Sequence, residues 1–247
     1  MINTLNESAL HKALKTFYAV QYSAAEEVKV ERWYCDLVCP DNTVIEIQNK
    51  NVGAIKEKIA GLLKTGRRVI LVHPIIGQKT IQSYNKQGQL VQSRKSPKKE
   101  SVYSALREFT GIAALLLDKN FFLLLPKIAM AEKRLLCEEP VQSANGRRRF
   151  KKAWQKTDKA LLTIGETVKF SKKDDWLCLL PSQLFDSKKK AKKSAESFSA
   201  ATIKEMFAKE KKLEAARFSN LLLWLLREMG LIVRVPHSGR GYWYVFS

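Results

Sequence analysis

With 247 residues, 45% of them hydrophobic and 28% charged, the chain can bury a real core as one large domain or two small ones and is not a disordered polymer. Its 44 Lys+Arg against 24 Asp+Glu give a formal charge of +20, a field that attracts polyanions and is silent about fold. The richest apolar stretch, residues 111–130, is broken by Asp118-Lys119-Asn120, so no membrane span is expected. The first residues lack the basic and apolar regions of a secretory leader. The 4 cysteines include no C-x-x-C and there are only 3 histidines, which argues against a zinc module and for free thiols in a reducing, cytoplasmic setting.

In chain order, Leu10, Leu14 and Phe17 carry the helical repeat and predict a first helix over about the first twenty residues. Two strand-like runs follow, 28–39 and 43–48, joined by the turn signal Pro40-Asp41-Asn42. Ile55, Ile59 and Leu62 mark a second helix ending at Thr65-Gly66. The continuous apolar run from Val69 to Ile75 suits a strand covered on both faces. Further strands are expected at 80–84 and 90–93 about the turn Asn85–Gly88, then a helix at 102–117 and an apolar segment from Phe121. The stretch 138–145 reads as a polar boundary, and 147–181 as helical with loop breaks. Residues 1–137, 138–197 and 198–247 are therefore expected to form an α/β domain, a basic helical connector and a C-terminal domain.

The excess charge is uneven: residues 1–90 hold 12 Lys+Arg and 8 Asp+Glu, and residues 91–247 hold 32 and 16. Three runs concentrate it, at 94–99, at Arg147, Arg148, Arg149, Lys151 and Lys152, and at 188–193. One such run is ordinarily a solvated loop; three in one basic chain point to nucleic acid. In the last fifty residues, Ser199 caps a short helix, Phe218, Leu222, Leu225 and Met229 trace a longer one, and two strands flank a tip containing His237 and Arg240. Helix, helix and β-hairpin resemble a winged helix-turn-helix, which would bind DNA through Arg217, Arg234 and Arg240. RNA fits the same charge, a helical packing module fits the same pattern, and the chain is compatible with a monomer or a homodimer.

Asp36 lies in one predicted strand and Glu46 and Gln48 in the next, where period-two alternation puts Glu46 and Gln48 on one face. Carboxylates among β-branched neighbours are costly to bury unless a positive group shares the site. Two on adjacent strands are hard oxygen ligands suited to Mg²⁺ (or Mn²⁺), which can activate water and neutralise a scissile phosphate. Asp36 shares their face only if the connecting loop is odd in length or a bulge compensates: a three-residue loop pairs Cys39 with Thr43 and Asp36 with Glu46. His73 reads as a core histidine, and His11 lies one turn beyond Glu7.

The order helix, antiparallel meander, helix, buried strand, with Leu10-His11-x-x-Leu14-Lys15, Cys35-Asp36-Leu37-Val38 and Ile45-Glu46-Ile47-Gln48, resembles the PD-(D/E)XK nuclease superfamily. More narrowly it is similar to an uncharacterised prokaryotic branch with a Glu-Ile-Gln strand end. The resemblance covers residues 5–135. It implies a restriction-endonuclease-like α/β fold with a mixed sheet flanked by helices and Mg²⁺-dependent cleavage of DNA. Asp36 and Glu46 would be metal ligands, Gln48 would stand where Lys is usual, and Glu7 would be an additional acid. Gln48 departs from the usual cation, so a catalytically inactive DNA-binding protein on the same fold is the alternative.

Overall fold

In a computed structural model, residues 8–143, 146, 148–185 and 197–247 are described. Glu7, Arg147 and the basic run at 188–193 lie outside them. The chain forms two units. The first holds the chain through Asn49 with Leu71–Ser101 and Leu124–Val168; the second holds Lys50–Ile70, Val102–Leu123 and Lys169–Ser247.

The first unit begins with helix α1 (Ala9–Tyr22), whose start is capped by Ser8 accepting from the His11 N–H. Leu10, Leu14 and Tyr18 give α1 a buried stripe. An antiparallel meander comes next: β1 (Ala25–Val30), β2 (Trp33–Val38) and β3 (Val44–Ile47). The single run expected at 28–39 is thus a hairpin, turned at Glu31, whose φ of 53° no local glycine announces. Strands β4 (Val69–Val72) and β5 (Ile75–Tyr84) are separated by His73-Pro74 and both run along β7 (Phe121–Val141). Pairing advances in step: the His73 N–H donates to Leu124 O, Ile75 pairs with Lys127 and Tyr84 with Leu135. Pro74, with no N–H to give, sits at the junction. Strand β6 (Leu90–Lys95) pairs antiparallel with β5 as a fully exposed edge. Strand β8 (Lys152–Phe170) pairs with β7. The sheet order is β1-β2-β3-β4-β7-β5-β6 with β8 beside β7, a mixed sheet in an α/β fold.

Two expectations are overturned here. The described residues of 138–197 are largely strand and not a helical connector: β7 continues to Val141, 152–170 form a strand, and helix is confined to Lys173–Leu177 and a 3-10 turn at Ser182–Phe185. The boundary expected at 137–138 falls inside β7. The Lys, Ala and Leu of this segment favour helix, and pairing with β7 overrides that weak preference.

The second unit contains α2 (Lys56–Lys64), α3 (Val102–Phe109), a 3-10 stretch at Thr110–Leu115, α4 (Lys173–Leu177) and the C-terminal elements. The helix expected at 102–117 therefore tightens to 3-10 geometry in its second half. A Cβ on Gly111 would come within 2.9 Å of Gly53 Cα, so this close backbone approach requires glycine. The last segment runs β9 (Phe198–Ser199), α5 (Ala200–Lys209), α6 (Leu213–Arg217), α7 (Ser219–Glu228), β10 (Ile232–Val235) and β11 (Trp243–Phe246). Ser199 caps α5, and Gly230, with φ of 71°, lies just past the end of α7. The three strands order β10-β11-β9. Phe207, Leu222, Leu225, Leu226 and Ile232 are fully buried, and Tyr103 of α3 meets Phe207 edge-on at 5.7 Å between centroids. Among the described residues no helix is long and apolar enough to cross a membrane.

The β2–β3 turn fixes the register of β3 against β2. The Asn42 N–H donates to Cys39 O, the Cys39 N–H donates to Thr43 O, and Asn42 has φ of 64°. This is a three-residue loop with a left-handed last position. Asn tolerates that conformation and a β-branched residue does not. Asn42→Val is expected to lower stability by about 1–3 kcal/mol, whereas Asn42→Gly is tolerated, as urea unfolding would show.

Candidate active site

The odd loop carries Asp36 and Glu46 to the same face. Leu37 pairs with Ile45 and Val38 with Val44, so the register runs on to Asp36 opposite Glu46. There the ladder stops being regular. The Ile47 N–H donates to Asp36 Oδ2 at 2.8 Å, and the Asp36 N–H reaches Glu46 Oε1 at 3.4 Å. Side chains have thus taken over backbone positions, and β3 turns to β4, where the Gln48 N–H donates to Val72 O.

The other side of Asp36 is interrupted as well. Glu26 pairs with Leu37 and Val28 with Cys35, which leaves Glu27 opposite Asp36 with φ of 54°. A glutamate held in the left-handed region inside a strand is strained, and such strain concentrates at functional positions. Its carboxylate is held 2.5 Å from Lys15 Nζ, and the Lys15 side chain is only 5% exposed. One turn earlier on α1, His11 Nε2 lies 3.7 Å from Asp36 Oδ2. Two polar groups at i and i+4 of α1 therefore address two acids opposite each other in the β1–β2 ladder.

Glu46 is buried at 3% exposure, and Asp36 is partly open to solvent. Gln48 comes next in alternation, and its carbonyl accepts from His73 Nδ1–H at 2.6 Å. That hydrogen bond makes His73 a satisfied buried histidine at the end of β4. Asn49, the next residue, has a buried side-chain oxygen with no hydrogen-bond partner among the described residues.

Among the described residues no group of three or more His, Cys, Asp or Glu converges as a metal cage. Asp36 and Glu46 are a pair of hard oxygen donors. That set fits an ion such as Mg²⁺, which takes one or two carboxylates and fills the rest of its shell with water and phosphate.

The expected basic residues are placed separately. In the first unit, Arg148 donates from Nη1 to Val141 O and Trp154 O, Arg149 lies over Phe150, and Lys151 and Lys152 are exposed. In the second, Arg217 is exposed at the end of α6, Arg234 stacks 3.7 Å over Tyr242, and Arg240 lies between β10 and β11. Glu27 and Lys15 were not among the expected site residues. Nothing in Glu26-Glu27 signals a positive φ, and in the sequence Lys15 is only the end of the Leu10-His11-x-x-Leu14-Lys15 motif, with no role assigned to it.

A family model described as Domain of unknown function (DUF8091) matches residues 8–171, about two thirds of the chain. The chain belongs to this family. An uncharacterised protein of Treponema pallidum (strain Nichols) is 31% identical over 172 residues. That match spans 70% of this chain and 65% of the relative's own length. No solved structure matches the chain. The DUF8091 region takes in α1 through β8 and so contains His11, Lys15, Glu27, Asp36, Glu46 and Gln48. Helices α5 to α7 and strands β9 to β11 lie beyond it.

Proposed function

We propose that this protein is a metal-dependent nuclease acting on DNA, built on a PD-(D/E)XK-like core with a winged helix at its C-terminal end. The observation that carries the reading is the opposed Asp36–Glu46 pair at the point where both neighbouring ladders break. The order α1, meander, α2, β4 also parallels the superfamily's. A bound Mg²⁺ would supply a Lewis acid for the scissile phosphate and a water of lowered pKa. On the protein's side, the backbone N–H of Ile47 holds the Asp36 carboxylate in place. Gln48 can orient a water through its amide but adds no charge, and Lys15, tied to Glu27, is the buried cation of α1. The lack of a cation at position 48 favours a second reading, a DNA-binding protein on the same core without cleavage. Incubating the protein with linear, circular and branched DNA and Mg²⁺ or Mn²⁺ separates the two. Cleavage abolished in Asp36→Ala supports the enzyme; no cleavage above that control on any substrate removes it.

The C-terminal module is tested by salt dependence. A helix pair leading into a hairpin presents the exposed faces of α6 and α7 and the tip of β10–β11, where Arg217 and Arg240 lie. Neutralising both is expected to weaken duplex binding and lower the slope of log affinity against log salt by about 0.9 for each phosphate no longer neutralised. An unchanged slope would assign this module to protein packing.

A further inference from the structure

Away from the acid pair, the first unit has a cleft of about 340 Å³ where β5, β7 and β8 run together. Tyr84, Asn85, Lys86, Lys133 and Thr157 are among its walls. The parallel register sets Gln82 beside Lys133 and Tyr84 beside Leu135, so Tyr84 and Lys133 belong to one face of the sheet. The Tyr84 ring is half-buried and its hydroxyl donates to Gln82 Oε1 at 3.2 Å. Lys133 is half-buried and makes no ion pair among the described residues. A cation beside an aromatic ring, with no carboxylate on it among the described residues, can meet an anion.

The surroundings hold these groups in place. Asn85 closes the β5–β6 turn twice, its Nδ2 donating to Gln89 Oε1 at 2.9 Å and its Oδ1 accepting from the Gln89 N–H at 2.8 Å. That fixes the base of Lys86 at the turn. The alternate residues of the sheet carry a packed polar layer. There Glu132 accepts from Arg134 Nε and Nη2, Lys156 Nζ lies 3.2 Å away, and Arg134 stacks 3.6 Å over Trp154. Trp154 by Arg134 and Lys156 by Glu132 is the spacing of strands running in opposite directions, so this layer ties β8 to β7, and Arg134 also lines the cleft.

From the Tyr84 ring, Lys133 without an ion pair among the described residues and the open groove they share, we propose that this cleft binds a nucleotide of single-stranded nucleic acid. Tyr84 supplies a ring for the base and Lys133 meets its phosphate; Lys86, whose Nζ lies 2.8 Å from Glu138 Oε1, joins only by leaving that carboxylate. An aromatic beside cations suits an unpaired strand, because a duplex keeps its bases stacked and offers only backbone. A cleft of this size takes about one nucleotide. The proposal rests on the nucleic-acid reading above and extends it: a substrate strand would be gripped here, at a place other than the acid pair.

The test uses full-length protein in EDTA, with fluorescein-labelled single strands of DNA and RNA and the matching DNA duplex followed by anisotropy. Tyr84→Ala is expected to weaken single-strand binding about tenfold and duplex binding less than twofold, with Tyr84→Phe restoring it. Lys133→Gln is expected to lower the single-strand salt slope by about 0.7. Unchanged thermal unfolding shows that the variants are folded, and Lys86→Gln, on an exposed turn, gives a variant with little risk of misfolding. Single strands bound equally by wild type, Tyr84→Ala and Lys133→Gln would overturn the proposal, as would equal losses on strand and duplex. The cleavage reading fails separately: single-strand binding that depends on Tyr84 in a protein that cuts nothing upholds this site and removes the nuclease.

Discussion

Replacing Asp36 by Asn or Glu46 by Gln is expected to cut metal-dependent cleavage by roughly a thousandfold and leave binding in EDTA within about twofold. Losing one of two hard anionic ligands weakens the ion's hold and its several kcal/mol of transition-state charge stabilisation, and each 1.36 kcal/mol is tenfold in rate. Asp36→Asn is the more informative change. An amide oxygen can still accept from the Ile47 N–H, which lies 2.8 Å from Asp36 Oδ2, so the local geometry is kept and only the charge is removed. A purely structural Asp36 predicts unaltered cleavage by this variant; a ligand predicts the full loss. Initial rates on a labelled DNA substrate, with parallel thermal unfolding curves, make the measurement.

The acid pair was legible in the sequence because its geometry is local. Strand alternation and the length of a single turn decide whether Asp36 and Glu46 face one another, and Pro40-Asp41-Asn42 supplies a left-handed residue at the right place. The helices were legible for the same reason: α1, α2, α5 and α7 each carry their own apolar stripe. The elements that stayed hidden depend on distant partners. Strand β8 mixes helix-favouring Lys, Ala and Leu with Thr, Trp, Ile and Val, and pairing with β7 decides for strand. Glu27 joins the site through a backbone twist that glutamate does not signal, and Lys15 becomes a buried ion only when α1 covers the meander. The cleft about Tyr84 and Lys133 exists only in the parallel register of β5 and β7, whose paired residues are distant in sequence.

Glu132→Gln is expected to lower stability by roughly 3 kcal/mol at neutral pH, an effect that fades on acidification. Burial by itself would push the Glu132 carboxyl up. The hydrogen bond from Arg134 and the charges of Lys156 and Lys79 outweigh it and hold the group down at about 2, from an ordinary value of 4.5. A carboxyl whose folded pKa is depressed stabilises fully above its unfolded pKa, and the contribution is lost as pH falls through the folded one. The window therefore runs from 4.5 down to about 2. The variant also strands three cations around a site only 6% exposed, and breaking one partner of such a cluster costs more than the cluster contributes. Urea unfolding at about pH 7, 4 and 2.5 would show the two proteins far apart at the first and converging at the last. A constant difference across that range would mean that packing around Trp154, and not the charge of Glu132, ties β7 to β8.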